Sequence, residues 1–130
     1  MEQETLLGVD FGAQHVGFAI KHPGTMTAVG LEIFERNSGS DEALIEKVQE
    51  IIAREEITQV IVGLPLSMSG TPSAQTDKVA LFIHHARKAI SIPVFEEDER
   101  LSSVMVPQGA HDEAAAIILQ GYIDRNSHGA

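Results

Sequence analysis

The spacing of the apolar residues changes once along this chain, and that change limits the possible folds more than any other feature. The first third holds short apolar runs separated by turn residues, which predict strands over Leu6–Asp10, Val16–Lys21 and Ala28–Glu35. From about Asp41 onward, apolar residues recur at the spacing of an amphipathic helix. We therefore expect an antiparallel meander followed by helices that alternate with strands.

The remaining elements follow from the same reading. Helices are predicted over Asp41–Glu56, from Thr71-Pro72 to about Ile90 and over Asp112–Asp124, with strands over Val60–Leu64 and Ile92–Phe95. Val60–Leu64 is continuously apolar, as is typical of a strand covered on both faces. The order βββαβαβα predicts an α/β protein of RNase H-like topology, with helices on both faces of a five-stranded mixed sheet. We expect residues 1–130 to form one such domain.

Charge and composition restrict the function. Nine Lys and Arg against nineteen Asp and Glu give a net charge of −10, which argues against tight, metal-free binding of nucleic acid. It does not argue against metal-dependent chemistry, because such a site concentrates carboxylates. The chain has no cysteine, which excludes disulfides and thiolate metal sites. The acidic start at Met1–Glu4 does not resemble a secretory signal, and no run is long enough to span a bilayer. We expect a cytoplasmic protein without membrane contact.

Acidic residues stand at the ends of predicted elements. Asp10 ends the first strand, Asp98 and Glu99 follow the fifth, and Asp112 begins the last helix. Each acid alone has an ordinary explanation as a turn residue, a solvated edge or a helix cap. Together, the predicted topology could bring them to one end of the sheet, where converging carboxylates need a cation. Because Mg²⁺ and Mn²⁺ prefer oxygen ligands, we predict a site for one of these ions and hydrolysis of phosphodiesters there.

Four motifs in order resemble those of a known family. They are Leu7-Gly8-Val9-Asp10-Phe11-Gly12 with Val16-Gly17-Phe18-Ala19, Val62-Gly63-Leu64-Pro65-Leu66 with Gly70-Thr71, Asp98-Glu99-Arg100-Leu101-Ser102-Ser103, and the helix Ala114–Asp124. They resemble the YqgF/RuvX family, which is described as Holliday junction resolvases and as nucleases that mature the 5′ end of pre-16S ribosomal RNA. The resemblance implies an RNase H-like, metal-dependent nuclease that acts on structured nucleic acid, either pre-rRNA or branched DNA. A homodimer would favour junctions, because resolution needs two sites on opposed strands.

The resemblance also implies site residues. Asp10 and Glu99 would bind the metal, an acid opening the last helix would complete the set, and Arg100 would orient the acids or contact phosphate. Counting back from Leu119-Gln120 in the family's register puts His111 at the position of that last acid, one residue before Asp112. A one-residue deletion would restore Asp112. Both residues therefore stay candidates for the third ligand.

Two departures from the family pattern reduce the positive charge available for a polyanion. Gln14-His15 replaces the Lys-Arg pair that usually follows the first motif, and the segment 104–110 is short and has no Lys or Arg. These losses favour an alternative in which the chain is a catalytically impaired RNase H-like scaffold that binds nucleic acid or protein. An actin-like ATPase would share the sheet topology, but 130 residues leave no room for its second domain.

Overall fold

In the part of the chain that the structure describes, the helices and strands follow one another in the order that the sequence predicts. The computed structural model describes residues 1–12, 14–36, 41–65, 74–98 and 111–126, with only the backbone of His111. The strands are β1 (Leu6–Phe11), β2 (His15–Lys21), β3 (Val29–Glu35), β4 (Gln59–Leu64) and β5 (Val94–Asp98). The helices are α1 (Glu42–Glu55), α2 (Ala74–Ala89) and α3 (His111–Asn126). Within the described ranges, no helix is long and apolar enough to cross a bilayer.

The strands form one mixed sheet in the order β3-β2-β1-β4-β5. The pairs β1–β2 and β2–β3 are antiparallel, which confirms the predicted meander. The pairs β1–β4 and β4–β5 are parallel, as helical crossovers require. The first strand therefore lies at the centre of the sheet.

The alternation of side chains along β1 divides the core into two layers. Leu7, Val9 and Phe11 pack in one cluster with the buried residues of α1 and α2. Leu6 packs in the other cluster with Ala115 and Leu119 of α3. Because side chains alternate along a strand, Gly8 and Asp10 share the face of Leu6. The helices α1 and α2 thus cover one face of the sheet and α3 covers the other.

A row of small residues lets α3 approach the sheet closely. Gly8 pairs with Ala19, and Ala19 pairs with Gly30, so the three residues cross β1, β2 and β3 at one level. A Cβ atom on Gly8 would lie 2.8 Å from Leu119 Cβ and 3.2 Å from the Ala115 carbonyl oxygen. Contacts this short leave no room for a side chain at Gly8.

The boundaries of the fifth strand and of the last helix differ from the prediction. The fifth strand covers Val94–Asp98, rather than Ile92–Phe95, because parallel pairing with β4 runs from Val60–Val94 to Leu64–Asp98. The last helix begins at His111, one residue before Asp112. The predicted start of the second helix at Thr71-Pro72 lies outside the described residues. On the inner face of α3, Ile123 is buried whereas Tyr122 is only partly so.

The edge strand β3 is attached to α1 by ion pairs around Glu32. Its carboxylate lies 2.7 Å from Lys47 Nζ and 2.5 Å from the Arg54 guanidinium. Burial alone would raise the pKa of Glu32, but the hydrogen bonds from Lys47 and Arg54 outweigh it and hold that pKa below its ordinary value of 4.5. The ionised carboxylate therefore stabilises the folded state.

We predict that Glu32→Gln lowers stability near neutral pH and flattens the acid limb of the stability curve. A depressed folded-state pKa contributes stability that is fully present above about pH 4.5 and is lost as the pH falls through the folded value. Urea unfolding between pH 3 and 7 measures this effect. Glu50→Gln is the control, because Glu50 contacts the same Lys47 and Arg54 at 3.5 and 3.4 Å but is mostly exposed. Equal effects of the two substitutions would contradict the prediction.

We also predict that Gly8→Ala destabilises the protein by about 1–3 kcal/mol, because its methyl group would overlap the backbone and Leu119 Cβ of α3. Gly30→Ala is the matched comparison. There the methyl group would lie 2.6 Å from Asp112 Oδ2, at the end of a side chain that can rotate away. Unfolding in urea should rank Gly8→Ala well below Gly30→Ala in stability, and the reverse order would show that α3 is not seated on Gly8.

Candidate active site

Asp10 lies at the carboxyl end of the central strand. It pairs with Gly17 of β2 and is partly buried. Pairing between β1 and β4 extends only as far as Val9 and Val62, so Asp10 stands where that ladder ends. Its position in the alternation puts it on the α3 face. Polar residues just beyond the carboxyl ends of parallel strands commonly form the functional sites of α/β sheets.

A second acid, Glu97, lies on the same face and was not singled out from the sequence. Glu97 of β5 pairs with Gly63 of β4. The ladder between β1 and β4 ends at the pair of Val9 with Val62, and the next residues on these two strands are Asp10 and Gly63. Asp10 and Glu97 therefore flank a glycine near one level of the sheet. Glu97 is 6% exposed and forms an ion pair with Arg125 of α3. The sequence did not reveal that β5 continues through the acidic run. With that extent known, the alternation of side chains along the strand would have placed Glu97 on the α3 face.

Of the two predicted acids Asp98 and Glu99, the structure describes only Asp98. Asp98 has the parity of Val94, which belongs to the core beneath α1 and α2, so Asp98 lies on the face opposite to Asp10. Glu99 and Arg100 lie outside the described residues. Their predicted roles stay predictions.

Asp112 is seated on the edge strand. Its Oδ2 atom lies 2.6 Å from the point where a Cβ atom on Gly30 would be. Because Gly30 belongs to β3, two strands away from β1, this carboxylate is offset from the central strand by about 9–10 Å. His111 begins α3, but its side chain is not described. Asp10 and Asp112 are thus the predicted ligands whose side chains are described.

Positive charge near the end of β1 comes from Arg36, which follows β3. The backbone N–H of Arg36 donates to the Gln14 carbonyl oxygen at 2.8 Å. Its guanidinium lies over the Phe11 ring, with Cζ 4.5 Å from the ring centroid. Gln14, His15, Glu35 and Arg36 line an open depression of about 400 Å³ at this end of the sheet. A cation therefore stands beside the turn in which the family's Lys-Arg pair is missing.

The donor chemistry at this end of the sheet suits a hard divalent cation. Asp10 offers carboxylate oxygens, the ligands that Mg²⁺ and Mn²⁺ take, and the chain has no thiolate to favour a softer metal. Among the residues that the structure describes, no three metal-ligating side chains converge. A complete ligand set would therefore need a side chain from outside that part of the chain.

Comparison with known proteins connects the site to a family. The model of the family described as "RuvX: Holliday junction resolvase" matches residues 4–125. A protein of Desulforamulus reducens named "Putative pre-16S rRNA nuclease" is 33% identical over 133 residues, covering 92% of this chain and 96% of that protein. A protein of Thermoanaerobacter pseudethanolicus with the same name is 33% identical over 134 residues, covering 92% and 95%.

Solved structures agree with this assignment at the level of the fold. RuvC of T. thermophilus in complex with a Holliday junction substrate superposes with a TM-score of 0.66 at 14% identity, covering 96% of each chain. The yeast mitochondrial Holliday junction resolvase Ydc2 gives 0.57 at 9% identity, covering 93% of this chain and 78% of that one. These neighbours confirm the expected RNase H-like sheet. With a family model that matches nearly the whole chain, the protein belongs to the RuvX family.

Proposed function

We propose that this protein is a metal-dependent nuclease that hydrolyses phosphodiester bonds in structured nucleic acid. The observation that carries the proposal is Asp10, a partly buried acid on the α3 face at the carboxyl end of the central strand. The membership of the RuvX family supports the same chemistry. We infer a cytoplasmic site of action, where nucleic acid of this kind is processed.

The substrate that we rank first is the 5′ end of pre-16S ribosomal RNA. Two relatives that align with 92% of this chain carry a name for that activity. The description of the family model supports Holliday junction DNA as the alternative. Junction resolution would need two copies of the site, so a homodimer belongs to that alternative.

The metal that we propose is Mg²⁺ or Mn²⁺, held by Asp10 and Glu99. Glu99 belongs to the motif Asp98-Glu99-Arg100, whose resemblance to the family implies this role. When bound, the metal supplies Lewis-acid activation of a water molecule and stabilises charge on the leaving oxygen. Arg100, next in sequence, would contact the phosphate or orient these acids.

Within the described part of the chain, two arrangements prepare the site. Asp10 projects from a strand that is paired with β2 as far as Phe11, so its backbone is fixed before a ligand binds. Arg125 neutralises the buried Glu97, which limits the repulsion between that acid and Asp10. We propose that the carboxylate of Asp10 is the group that holds the cation.

For the third ligand both His111 and Asp112 stay candidates, and of the two we propose His111. The Asp112 carboxylate packs on Gly30 of the edge strand, which supports a role in seating the start of α3. Imidazole nitrogen is an acceptable ligand for Mn²⁺, although weaker than carboxylate for Mg²⁺.

We predict that Asp10→Asn reduces cleavage at least a hundredfold while leaving the melting temperature nearly unchanged, because it removes the charge that holds the metal but keeps the shape. Labelled pre-16S leader RNA and a Holliday junction, each with Mn²⁺ or EDTA, provide the assay. Asp77→Asn is the control, an exposed acid in the first turn of α2.

The same assay separates the alternatives. Metal-dependent cleavage that Asp10→Asn lacks and Asp77→Asn retains supports the nuclease, and the preferred substrate decides between RNA and junction. Retained cleavage in Asp10→Asn would contradict the role of Asp10. A folded wild-type protein that neither cleaves nor binds Mn²⁺ in calorimetry would favour the scaffold alternative.

We further predict that His111→Asn weakens Mn²⁺ binding about tenfold or more, whereas Asp112→Asn changes it less than threefold, since losing one ligand costs roughly 1.4 kcal/mol or more. Calorimetry of both variants gives the comparison. The opposite ranking would make Asp112 the ligand and would require its side chain to rotate away from Gly30.

A further inference from the structure

We infer that Gln75 and Arg36 are positioning residues for Asp10, acting through its neighbour Phe11. Phe11 is the last residue of β1 and is buried on the face opposite to Asp10. Its backbone carbonyl and its ring are both held by side chains from other elements. The expected effect on cleavage rests on the proposed function; the grip on Phe11 does not.

Gln75 holds the backbone of Phe11 beyond the end of the β1–β4 ladder. That ladder ends at the pair of Val9 with Val62, and β1 continues for two residues beyond it. Gln75, in the first turn of α2, donates its Nε2–H to the Phe11 carbonyl oxygen at 3.1 Å. The next residue, Thr76, donates its hydroxyl to the Pro65 carbonyl oxygen just after β4. The first turn of α2 therefore bonds to the ends of β1 and β4 just beyond their shared ladder.

Arg36 holds the ring of Phe11. The ring is 4% exposed and lies against Phe82 of α2, with centroids 5.3 Å apart. The Arg36 guanidinium covers it at 4.5 Å from its centroid, within the range of a cation–π interaction. Phe11 thus lies between an aromatic ring of α2 and a cation from the end of β3.

Arg36 is itself fixed by other contacts. Its side chain is only 9% exposed and pairs with Asp41 at 3.2 Å. The other oxygen of Asp41 lies 3.2 Å from His85 Nδ1 on α2, and Asp41 makes no side-chain cap bond to α1. The carboxylate at the start of α1 is therefore used to connect β3 with α2. Because both ends of this chain of contacts belong to packed elements, Arg36 has little freedom to leave the ring.

The consequence for Asp10 follows from its adjacency to Phe11. One peptide bond joins the residue that projects toward α3 and the residue that is gripped on the other face. A shift of about 1 Å at a reacting group can cost a hundredfold in rate. The contacts at Phe11 restrict such shifts from the face of the sheet opposite to Asp10.

The first test compares Gln75→Ala with Gln49→Ala. Gln49 of α1 makes the same kind of bond, from its Nε2 to the Ala89 carbonyl oxygen at 3.0 Å, far from β1. The amide of Gly12 belongs to the same peptide group as the Phe11 carbonyl, so its hydrogen exchange reports on that bond. In metal-free protein, we expect this amide to exchange with solvent about five to ten times faster in Gln75→Ala, because one hydrogen bond is lost, and to be unchanged in Gln49→Ala. In the cleavage assay, kcat should fall about tenfold in Gln75→Ala with KM within twofold.

The second test uses Arg36→Met and Arg36→Lys. Methionine keeps the bulk of the side chain without its charge, and lysine keeps a cation over the ring. We expect kcat to fall about tenfold in Arg36→Met and to recover at least threefold in Arg36→Lys, since lysine restores a cation over the ring. Arg54→Met is the control: it removes ion pairs between α1 and β3 that lie away from Phe11.

The readouts distinguish a failure of this inference from a failure of the proposed function. Unchanged exchange at Gly12 in Gln75→Ala would overturn the inference, whatever the protein cleaves. Unchanged kcat in an active enzyme would overturn it as well, and so would equal losses in Arg54→Met and Arg36→Met. If the wild-type protein cleaves nothing, the proposed function fails, and the exchange measurement alone decides whether Gln75 holds Phe11.

Discussion

The location of the site depends on how closely α3 lies against β1, and the absence of a side chain at Gly8 permits that distance. Leu119 and the Ala115 carbonyl occupy the space that a Cβ atom on Gly8 would need. The same level of the sheet continues through Ala19 to Gly30, against which Asp112 packs. The helix is therefore seated on two glycines in different strands, which sets both its height above the sheet and the position at which it begins. Asp10 stands two residues after Gly8 on the same face of the sheet. The packing of α3 on Gly8 and Gly30 therefore fixes the helix that covers this face.

Strand alternation gives the end of β1 two separate roles. Asp10 faces α3 and carries the proposed chemistry, whereas Phe11 faces the core beneath α1 and α2. The larger apolar layer can then stabilise the strand without occupying the site, and Gln75 and Arg36 reach the backbone and ring from that side. Arg36 also supplies a cation near Gln14 and His15, although its guanidinium forms an ion pair with Asp41. The contacts of Gln75 and Arg36 thus hold the end of β1 in place in a chain with few basic residues.

The sequence predicted the order of the elements, the mixed sheet and the family, because apolar periodicity and the four motifs are local signals. It also predicted Asp10 as the acid that ends the first strand. It missed the extent of β5 and the face of Glu97, since these depend on the register with β4, a pairing between segments more than thirty residues apart. It gave no sign that Lys21 is fully buried and donates to the carbonyl oxygens of Glu2, His22 and Thr25. Contacts of this kind, like that of Arg36 with Phe11, arise from tertiary packing and leave no periodic pattern.

The proposed nuclease activity requires a divalent cation at Asp10 on the α3 face of the sheet. The most direct test is the broadening of backbone amide resonances by substoichiometric Mn²⁺, with Asp10→Asn as the reference. We predict that broadening is strongest at the carboxyl ends of β1 and β4, around Asp10 and Gly63. It should be weak at Lys21–Thr25, at the opposite end of the sheet, and it should disappear in Asp10→Asn. Broadening centred on another acidic surface, or broadening around Asp10 that persists in Asp10→Asn, would contradict it.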